Sequence, residues 1–361
     1  MNDIIVIGAG QAGLTAGYHL NATPWTYEIL EAGPQPSGSW PHYYHSLKLF
    51  SPAHYSSLPK FPFPSAPDHF PTRDEVSAYL EQYALEHQLP VRTNAAVEQV
   101  RLTPEGFELR TRDGHLHHAR ALISATGAFH APYQPSLINQ SAFQGQILHS
   151  RAYQKPETFS GQRVIVVGAG NSAVQIAVEL ARIATVTLAV REPVQFAPRR
   201  ILGLDFHAFL QLIDRLPLGH LLDLSSAKQV WDFGEYQQAI AQGKPLQKPM
   251  FAQFTATGVQ WADGVTQDTD TVIFATGYTH SLPYLLETPA LDALGKPLHR
   301  HGISTSVAGL CYLGLSGQRT LASATLRGVN ADARVVVKHL SAFLQRAKSN
   351  QIKSPHAGQS A

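Results

Sequence analysis

The sequence is poor in the residues that carry thiol and metal chemistry. Among 361 residues there is one cysteine, Cys311. That excludes an intrachain disulfide and any C-x-x-C redox pair, and it suits a reducing compartment. Charge is sparse, at 15% of residues, and nearly balanced at net +2, with no block of one sign. Nothing here asks for a nucleic-acid partner. No uninterrupted apolar run approaches the length of a membrane span. The first apolar run begins within a few residues of Met1, and acidic Asp3 stands where a signal peptide carries positive charge, so a cytoplasmic protein is expected. The 18 histidines include no H-E-x-x-H and no Cys/His ligand spacing, so no metal is expected. His115, His117 and His118 follow Asp113-Gly114 and read as exposed turn residues. With 44% apolar residues, the chain has room for two domains with separate cores.

What is present is one short pattern, twice. Ile4–Ile7 runs into Gly8-Ala9-Gly10-Gln11-Ala12-Gly13, and Val164–Val167 runs into Gly168-Ala169-Gly170-Asn171-Ser172-Ala173. Each copy reads as a buried strand, a glycine turn and a helix, the context in which G-x-G-x-x-G signals a dinucleotide. The helix is expected over 11–20 in the first copy and from Asn171 to about Arg182 in the second. In the first copy Gly8 permits the tight turn, Gly10 brings backbone close to a pyrophosphate, and Gly13 lets helix and strand pack closely. The pyrophosphate then meets free N–H groups at a helix N-terminus. A second strand follows each helix, Tyr27–Leu30 and Thr185–Val190. At the same offset from the first glycine the copies differ: Glu31 in one, Arg191 in the other. An acid there accepts from ribose hydroxyls, whereas a cation pairs with a 2′-phosphate. Arg191 therefore leans to NADP(H), although Glu192 beside it leaves NADH open.

The duplication extends further. Phe107–Arg112, Asp113-Gly114 and Ala121–Ser124 suggest strand, turn and strand, ending in Ala125-Thr126-Gly127. Gly258–Ala262, Asp263-Gly264 and Thr271–Phe274 repeat this, ending in Ala275-Thr276-Gly277. From the Asp-Gly glycine to the Ala-Thr-Gly threonine is 12 residues in both copies. The expected fold is α/β, with two three-layer Rossmann-like domains and the second inserted in the first. The boundaries are 1–130 plus 280–361, and 131–279. Elsewhere, 33–71 is a long loop rich in proline and aromatics, able to wall a flat cofactor or simply to pack. Thr72 and Glu75 form a capping box for a helix through about Glu86. Leu204, Phe206, Phe209, Leu210, Leu212 and Ile213 show helical spacing, leaving lid, dimer face and domain packing open for the segment 199–254. A last strand over 312–315 and a closing helix over Ala322–Leu344 complete the chain, with a polar tail from Lys348.

These motifs resemble the class B flavoprotein monooxygenases. Phe143-x-Gly145-x-x-x-His149-x-x-x-Tyr153 matches every fixed position of the F-x-G-x-x-x-H-x-x-x-Y/W signature, just before the second glycine turn. Gly38-Ser39-Trp40, both glycine turns and both Ala-Thr-Gly segments also fit. Leu47–Pro52 and Ser323-Ala324-Thr325-Leu326 are similar to the small bacterial single-component flavin-containing monooxygenases. The resemblance implies FAD on the first turn and NADPH on the second, with NADH left open by Glu192. It implies that hydride passes to flavin N5, that dioxygen adds at C4a, and that the (hydro)peroxyflavin oxygenates a small soft nucleophile such as a sulfide or amine. It further implies that Trp40 and Leu47–Ser51 lie near the isoalloxazine, with Phe50 and Ser51 where larger relatives place an asparagine. Asn171 is expected to face the nicotinamide half, and Gln11, Ala12, Gly38, Thr126, Gly127, Ser172, Ala173, Thr276, Gly277 and Thr325 are expected to border the cofactors. His149 is expected to be structural. The Baeyer–Villiger subgroup ends the signature in tryptophan followed by proline or aspartate, so Tyr153-Gln154 favours sulfur or nitrogen, with Baeyer–Villiger oxidation of ketones left open. The alternative is an NAD(P)H oxidoreductase or oxidase that inserts no oxygen. The partners expected are a small-molecule substrate and O2, with no nucleic acid and no membrane, and a homodimer stays open.

Overall fold

The computed structural model describes residues 1–198, 229–232, 234–279, 281–320 and 322–352, with Arg200–Ile201, Leu204–Asp205 and His207 between them. The first sheet opens with β1 (Asn2–Ile7), followed by helix α1 (Gln11–Leu20) and β2 (Tyr27–Leu30). Helix α2 (Arg73–Glu86) then leads to β3 (Val91–Arg92), β4 (Val97–Thr103), β5 (Gly106–Thr111) and β6 (Leu116–Ser124). The second sheet takes β7 (Gln146–His149), β8 (Arg163–Val167), helix α3 (Asn171–Leu180) and β9 (Thr185–Val190). It is completed by Leu246–Pro249 and Thr271–Phe274. The chain then returns to the first sheet with His299–Arg300, Ile303–Ser304 and Leu310–Tyr312. The second sheet is thus made wholly between two visits to the first.

Both sheets share one parallel plan. In the first, the order is Leu310–Tyr312, β6, β1, β2, β3; in the second it is β7, Thr271–Phe274, β8, β9, Leu246–Pro249. The register matches as well: Val6 pairs with Ile29 and Ile123, and Val166 pairs with Leu188 and Ile273. One position is filled differently. The strand beside β6 comes from near the C-terminus, whereas its counterpart beside Thr271–Phe274 is β7, the strand that ends in His149.

The central strands explain why both faces must be covered. Ile4 and Val6 enter one apolar cluster with α1 and the closing helix, while Ile5 and Ile7 enter another. Val164 and Val166 likewise divide from Ile165 and Val167. Side chains alternate across a strand, so a continuous apolar run buries into two cores at once. Each such side chain contributes about 1.5–3 kcal/mol of burial.

Some sequence boundaries shift. β6 starts at Leu116, so His117 and His118 lie on a strand rather than in a turn. The His117 ring is 11% exposed and stands 3.4 Å from Glu28. The second copy splits the equivalent strand into Thr266–Asp268 and Thr271–Phe274. The last strand is Leu310–Tyr312. The closing helix is Val329–Ile352, not Ala322–Leu344. Residues 322–328 turn instead, because the Ser323 hydroxyl accepts the Arg319 and Thr320 N–H groups and the Thr325 hydroxyl accepts that of Gly328. Leu204 sits in a two-residue antiparallel ribbon with Arg200–Ile201. Phe206, Phe209, Leu210, Leu212 and Ile213 lie outside the described residues. Among the described residues no helix is long and apolar enough to cross a membrane, and no group of three metal-ligating side chains forms.

Candidate functional site: two glycine turns joined by a loop wall

The two turns are built alike. Gly8 (φ +99°) and Gly168 (φ +140°) hold backbone that side chains disfavour. A Cβ on Gly8 would come 2.8 Å from the Ala125 carbonyl oxygen, and one on Gly168 2.5 Å from that of Ala275. Each turn therefore packs on the alanine of its own Ala-Thr-Gly. Ala125 N–H donates to the Ile7 carbonyl at 2.9 Å and Ala275 N–H to that of Val167 at 2.8 Å. At the third position the copies diverge. A Cβ on Gly13 would overlap the Gly8 carbonyl oxygen, whereas the second copy accommodates Ala173 in its core.

Both helix N-termini are bare. Gly10 and Gly170 are the N-caps of α1 and α3; neither has a side-chain cap, and neither first turn carries an acid. A Cβ on Gly10 would meet only the Gly38 Cα at 3.9 Å, and one on Gly170, Gly127 or Gly277 would meet nothing within 4 Å. Unpaired N–H groups behind open space at a positive helix end fit a pyrophosphate. Gly38 presses on the first turn, where its own Cβ would approach the Gly10 Cα to 2.8 Å.

The residues at the shared offset behave differently. Glu31 is 5% exposed; its Oε2 accepts Ala9 N–H at 2.6 Å and its Oε1 accepts Gly33 N–H at 2.8 Å. It braces the first turn, and each carboxylate oxygen keeps a further lone pair able to accept. Arg191 and Glu192 are exposed at the end of β9. A cation there stands at the edge of the second site.

Between the turns runs the 33–71 loop. Trp40 Nε1 donates to Gln11 Oε1 at 2.9 Å, and Gln11 Nε2 donates to the Ala324 carbonyl at 3.1 Å. Gln11 thus ties the first turn to the loop and to the Ser323–Leu326 turn. Thr325 caps that turn with its hydroxyl, and Ala12 touches the position a Cβ on Gly314 would take, at 2.9 Å. Leu47 is buried in the core of the second unit, while Phe50 is 37% exposed and stacks on Trp231 at 6.2 Å. The Ser51 hydroxyl is bonded to that of Ser56 at 2.9 Å. Asn171 Oδ1 accepts Trp231 N–H at 2.9 Å, so its side chain fastens the backbone at Trp231. His207 lies between Tyr55 and Trp231 and bonds the Phe50 carbonyl at 3.1 Å.

The signature residues are fixings. Gly145 lets the chain pass Phe143 and the Asp270 carbonyl, where a Cβ would clash. His149 donates from Nε2 to the Gly277 carbonyl at 2.9 Å, and its Nδ1 accepts Arg151 N–H at 3.1 Å. Burial holds its pKa below the ordinary 6.5, partly offset by the Gly277 bond, with Arg151 adding to the drop. The neutral tautomer joins the signature to the second Ala-Thr-Gly. Thr276 meanwhile donates to the Tyr133 carbonyl, and Thr126 reaches the Tyr284 hydroxyl at 3.2 Å. The fully buried Tyr153 donates to Glu179 at 2.7 Å, and burial, then that carboxylate, push the phenol pKa up. The polar residues Gln175 and Glu179 on α3, together with Tyr44 and Trp231, were not legible as site residues in the sequence. Their one signal was a glutamine and a glutamate in a helix that is apolar elsewhere beyond Asn171 and Ser172.

This geometry defines a class: a two-dinucleotide oxidoreductase. The pyridine nucleotide-disulphide oxidoreductase family matches residues 5–202, more than half of the chain. Cys311 stands alone and fully buried in the strand Leu310–Tyr312, so the thiol pair in that family's name has no counterpart here. An uncharacterized CzcO-like oxidoreductase of Geobacillus kaustophilus is 34% identical, over 94% of this chain and 98% of its own. The indole-3-pyruvate monooxygenase YUCCA1 of Oryza sativa subsp. japonica is 30% identical, over 93% and 90%. A solved flavin-containing monooxygenase from Stenotrophomonas maltophilia superposes with a TM-score of 0.84 at 35% identity, over 95% and 99%. The chain belongs to the flavin-containing monooxygenase family, whose members are FAD- and NADPH-dependent oxidoreductases.

Proposed function

We propose that FAD lies on the first glycine turn and NADPH on the second, and that one atom of dioxygen passes to a small soft nucleophile, a sulfide or an amine. The observation that carries the reading is the completeness of the second site. It has its own bare helix N-terminus at Gly170 and an exposed cation, Arg191, at the strand end. A protein that kept FAD for structure alone has no use for a hydride-donor site.

In this reading Gly8, Gly10 and Gly13 hold the FAD diphosphate and Glu31 its ribose, with Gly38, Gln11, Ala12, Thr126, Gly127 and Thr325 around them. Trp40 and Leu47–Ser51 wall the flavin ring. Gly168, Gly170, Ser172 and Ala173 hold the NADPH diphosphate, Arg191 its 2′-phosphate and Asn171 the nicotinamide half, beside Thr276 and Gly277. When bound, the flavin supplies hydride acceptance and oxygen activation; the chain supplies orientation and exclusion of water. The domains divide at 1–130 with 280–361, and 131–279. A second reading is oxygen reduction to hydrogen peroxide without insertion. It is favoured by the Ser51 hydroxyl being engaged by Ser56 and by the apolar Phe50 ring beside it.

Turnover under 18O2 with NADPH and a panel of sulfides, amines and ketones separates the two. Labelled sulfoxide or N-oxide supports oxygen insertion. NADPH oxidation that yields only labelled peroxide overturns it.

A further inference from the structure

Helix α3 carries a polar stripe that cofactor binding accounts for only at Asn171. Asn171, Gln175 and Glu179 are spaced four apart, so they line one side of the helix. Each takes a hydrogen bond from a different segment. Asn171 accepts Trp231 N–H at 2.9 Å, Gln175 Oε1 accepts the Tyr44 hydroxyl at 2.8 Å, and Glu179 accepts the Tyr153 hydroxyl at 2.7 Å. Gln175 Nε2 also reaches the Lys48 carbonyl, at 3.5 Å. The Gln175 side chain is 7% exposed, and its partner Tyr44 is 3% exposed in the apolar cluster that holds Leu47, Val174 and Val178. An amide buried there costs desolvation that a leucine of similar volume avoids, so its contribution is geometric.

We propose that Gln175 is a positioning residue for hydride transfer. The inference rests on the reading that FAD occupies the first turn and NADPH the second. Tyr44 and Lys48 bracket the entry to the Leu47–Ser51 wall, and Gln175 stands just over one turn into the helix whose N-terminus meets the NADPH diphosphate. Gln175, with Ser172 beside Tyr44 on the same helix, thus links the wall of one cofactor to the anchor of the other. In the step concerned, a hydride with its two electrons leaves reduced nicotinamide, which is oxidised to NADP+, and reduces the flavin. Such a transfer is steep in donor–acceptor placement.

The test is anaerobic reduction of the holoenzyme by NADPH in a stopped-flow instrument, with wild type, Gln175→Leu, Tyr44→Phe and the double variant. Gln175→Leu is expected to lower the limiting reduction rate by about tenfold while the apparent Kd for NADPH stays within about twofold. Tyr44→Phe, which removes one hydroxyl only, is expected to lower the rate in the same direction, and the double variant no further than Gln175→Leu alone. Hydrogen exchange gives an independent readout: amides of 44–51 exchange faster in Gln175→Leu while those of β1 and β8 do not change. Unchanged rates and unchanged exchange in both single variants overturn the inference and leave the cofactor assignment intact. A wild-type flavin that NADPH does not reduce overturns the assignment, and the inference with it.

Discussion

Gly13 and Gly170 occupy corresponding turns and answer to different constraints. A Cβ on Gly13 would overlap the Gly8 carbonyl oxygen, whereas one on Gly170 meets nothing within 4 Å. Gly13→Ala is therefore expected to destabilise the fold by about 1–3 kcal/mol through overpacking, read by denaturant titration. Gly170→Ala should leave that titration unchanged yet weaken NADPH, because its methyl group projects into the open space before α3. Equal losses of stability in the two variants would refute the contrast. Arg191 is tested by coenzyme comparison. Arg191→Ala is expected to raise KM for NADPH by roughly ten- to a hundredfold, the loss of a charge-assisted hydrogen bond, with little change for NADH. Equal effects on both coenzymes would remove it as a 2′-phosphate ligand.

At the scale of elements, the capping box at α2 was readable because it is local chemistry. Thr72 and Glu75 reciprocate through side chain and backbone, at 3.3 Å and 2.7 Å. Thr72→Ala is expected to cost about 1 kcal/mol, measured by urea unfolding of wild type and variant. A cost near zero would mean that packing alone holds the helix start. Apolar periodicity continues through Ala322 and Leu326 and so places the start of the closing helix seven residues before Val329. Side-chain hydroxyls there compete for backbone N–H groups, and Gly328 packs against Ala322 too closely for a Cβ. Periodicity reports which residues are buried, not whether the backbone burying them is helical. The strand and helix starts of both glycine units were legible because buried runs and glycine turns are short-range signals.

At the scale of the whole molecule, acid is expected to loosen the fold from several points at once. His19, His87, His149 and His339 all have pKa values below the ordinary 6.5, with burial the leading cause in each. The unfolded chain then binds protons that the folded chain resists. The stability these histidines contribute is complete above about pH 6.5 and is lost as pH falls below it towards their folded values. Thermal unfolding between pH 7.5 and 5.5 should show a falling Tm, and a flat profile would contradict it. Asp270 lies below its ordinary 3.8, drawn down by its bond to Arg163, so that pair loosens only in stronger acid.

The sequence by itself determined the two nucleotide units, their different offset residues and their nesting. Strand, turn and helix signals are local, and a repeat at equal spacing can be counted. Tertiary structure decided what joins the units. In three dimensions β7 fills in the second sheet the place that Leu310–Tyr312 fills in the first, and His149 at its end closes onto Gly277. Gln175 reaches Tyr44 across 131 positions of chain. Such partners meet only because two separate cores bring them together, and no periodicity along the chain carries that distance. The repeat was therefore visible in sequence, and the contacts that join its two copies were not.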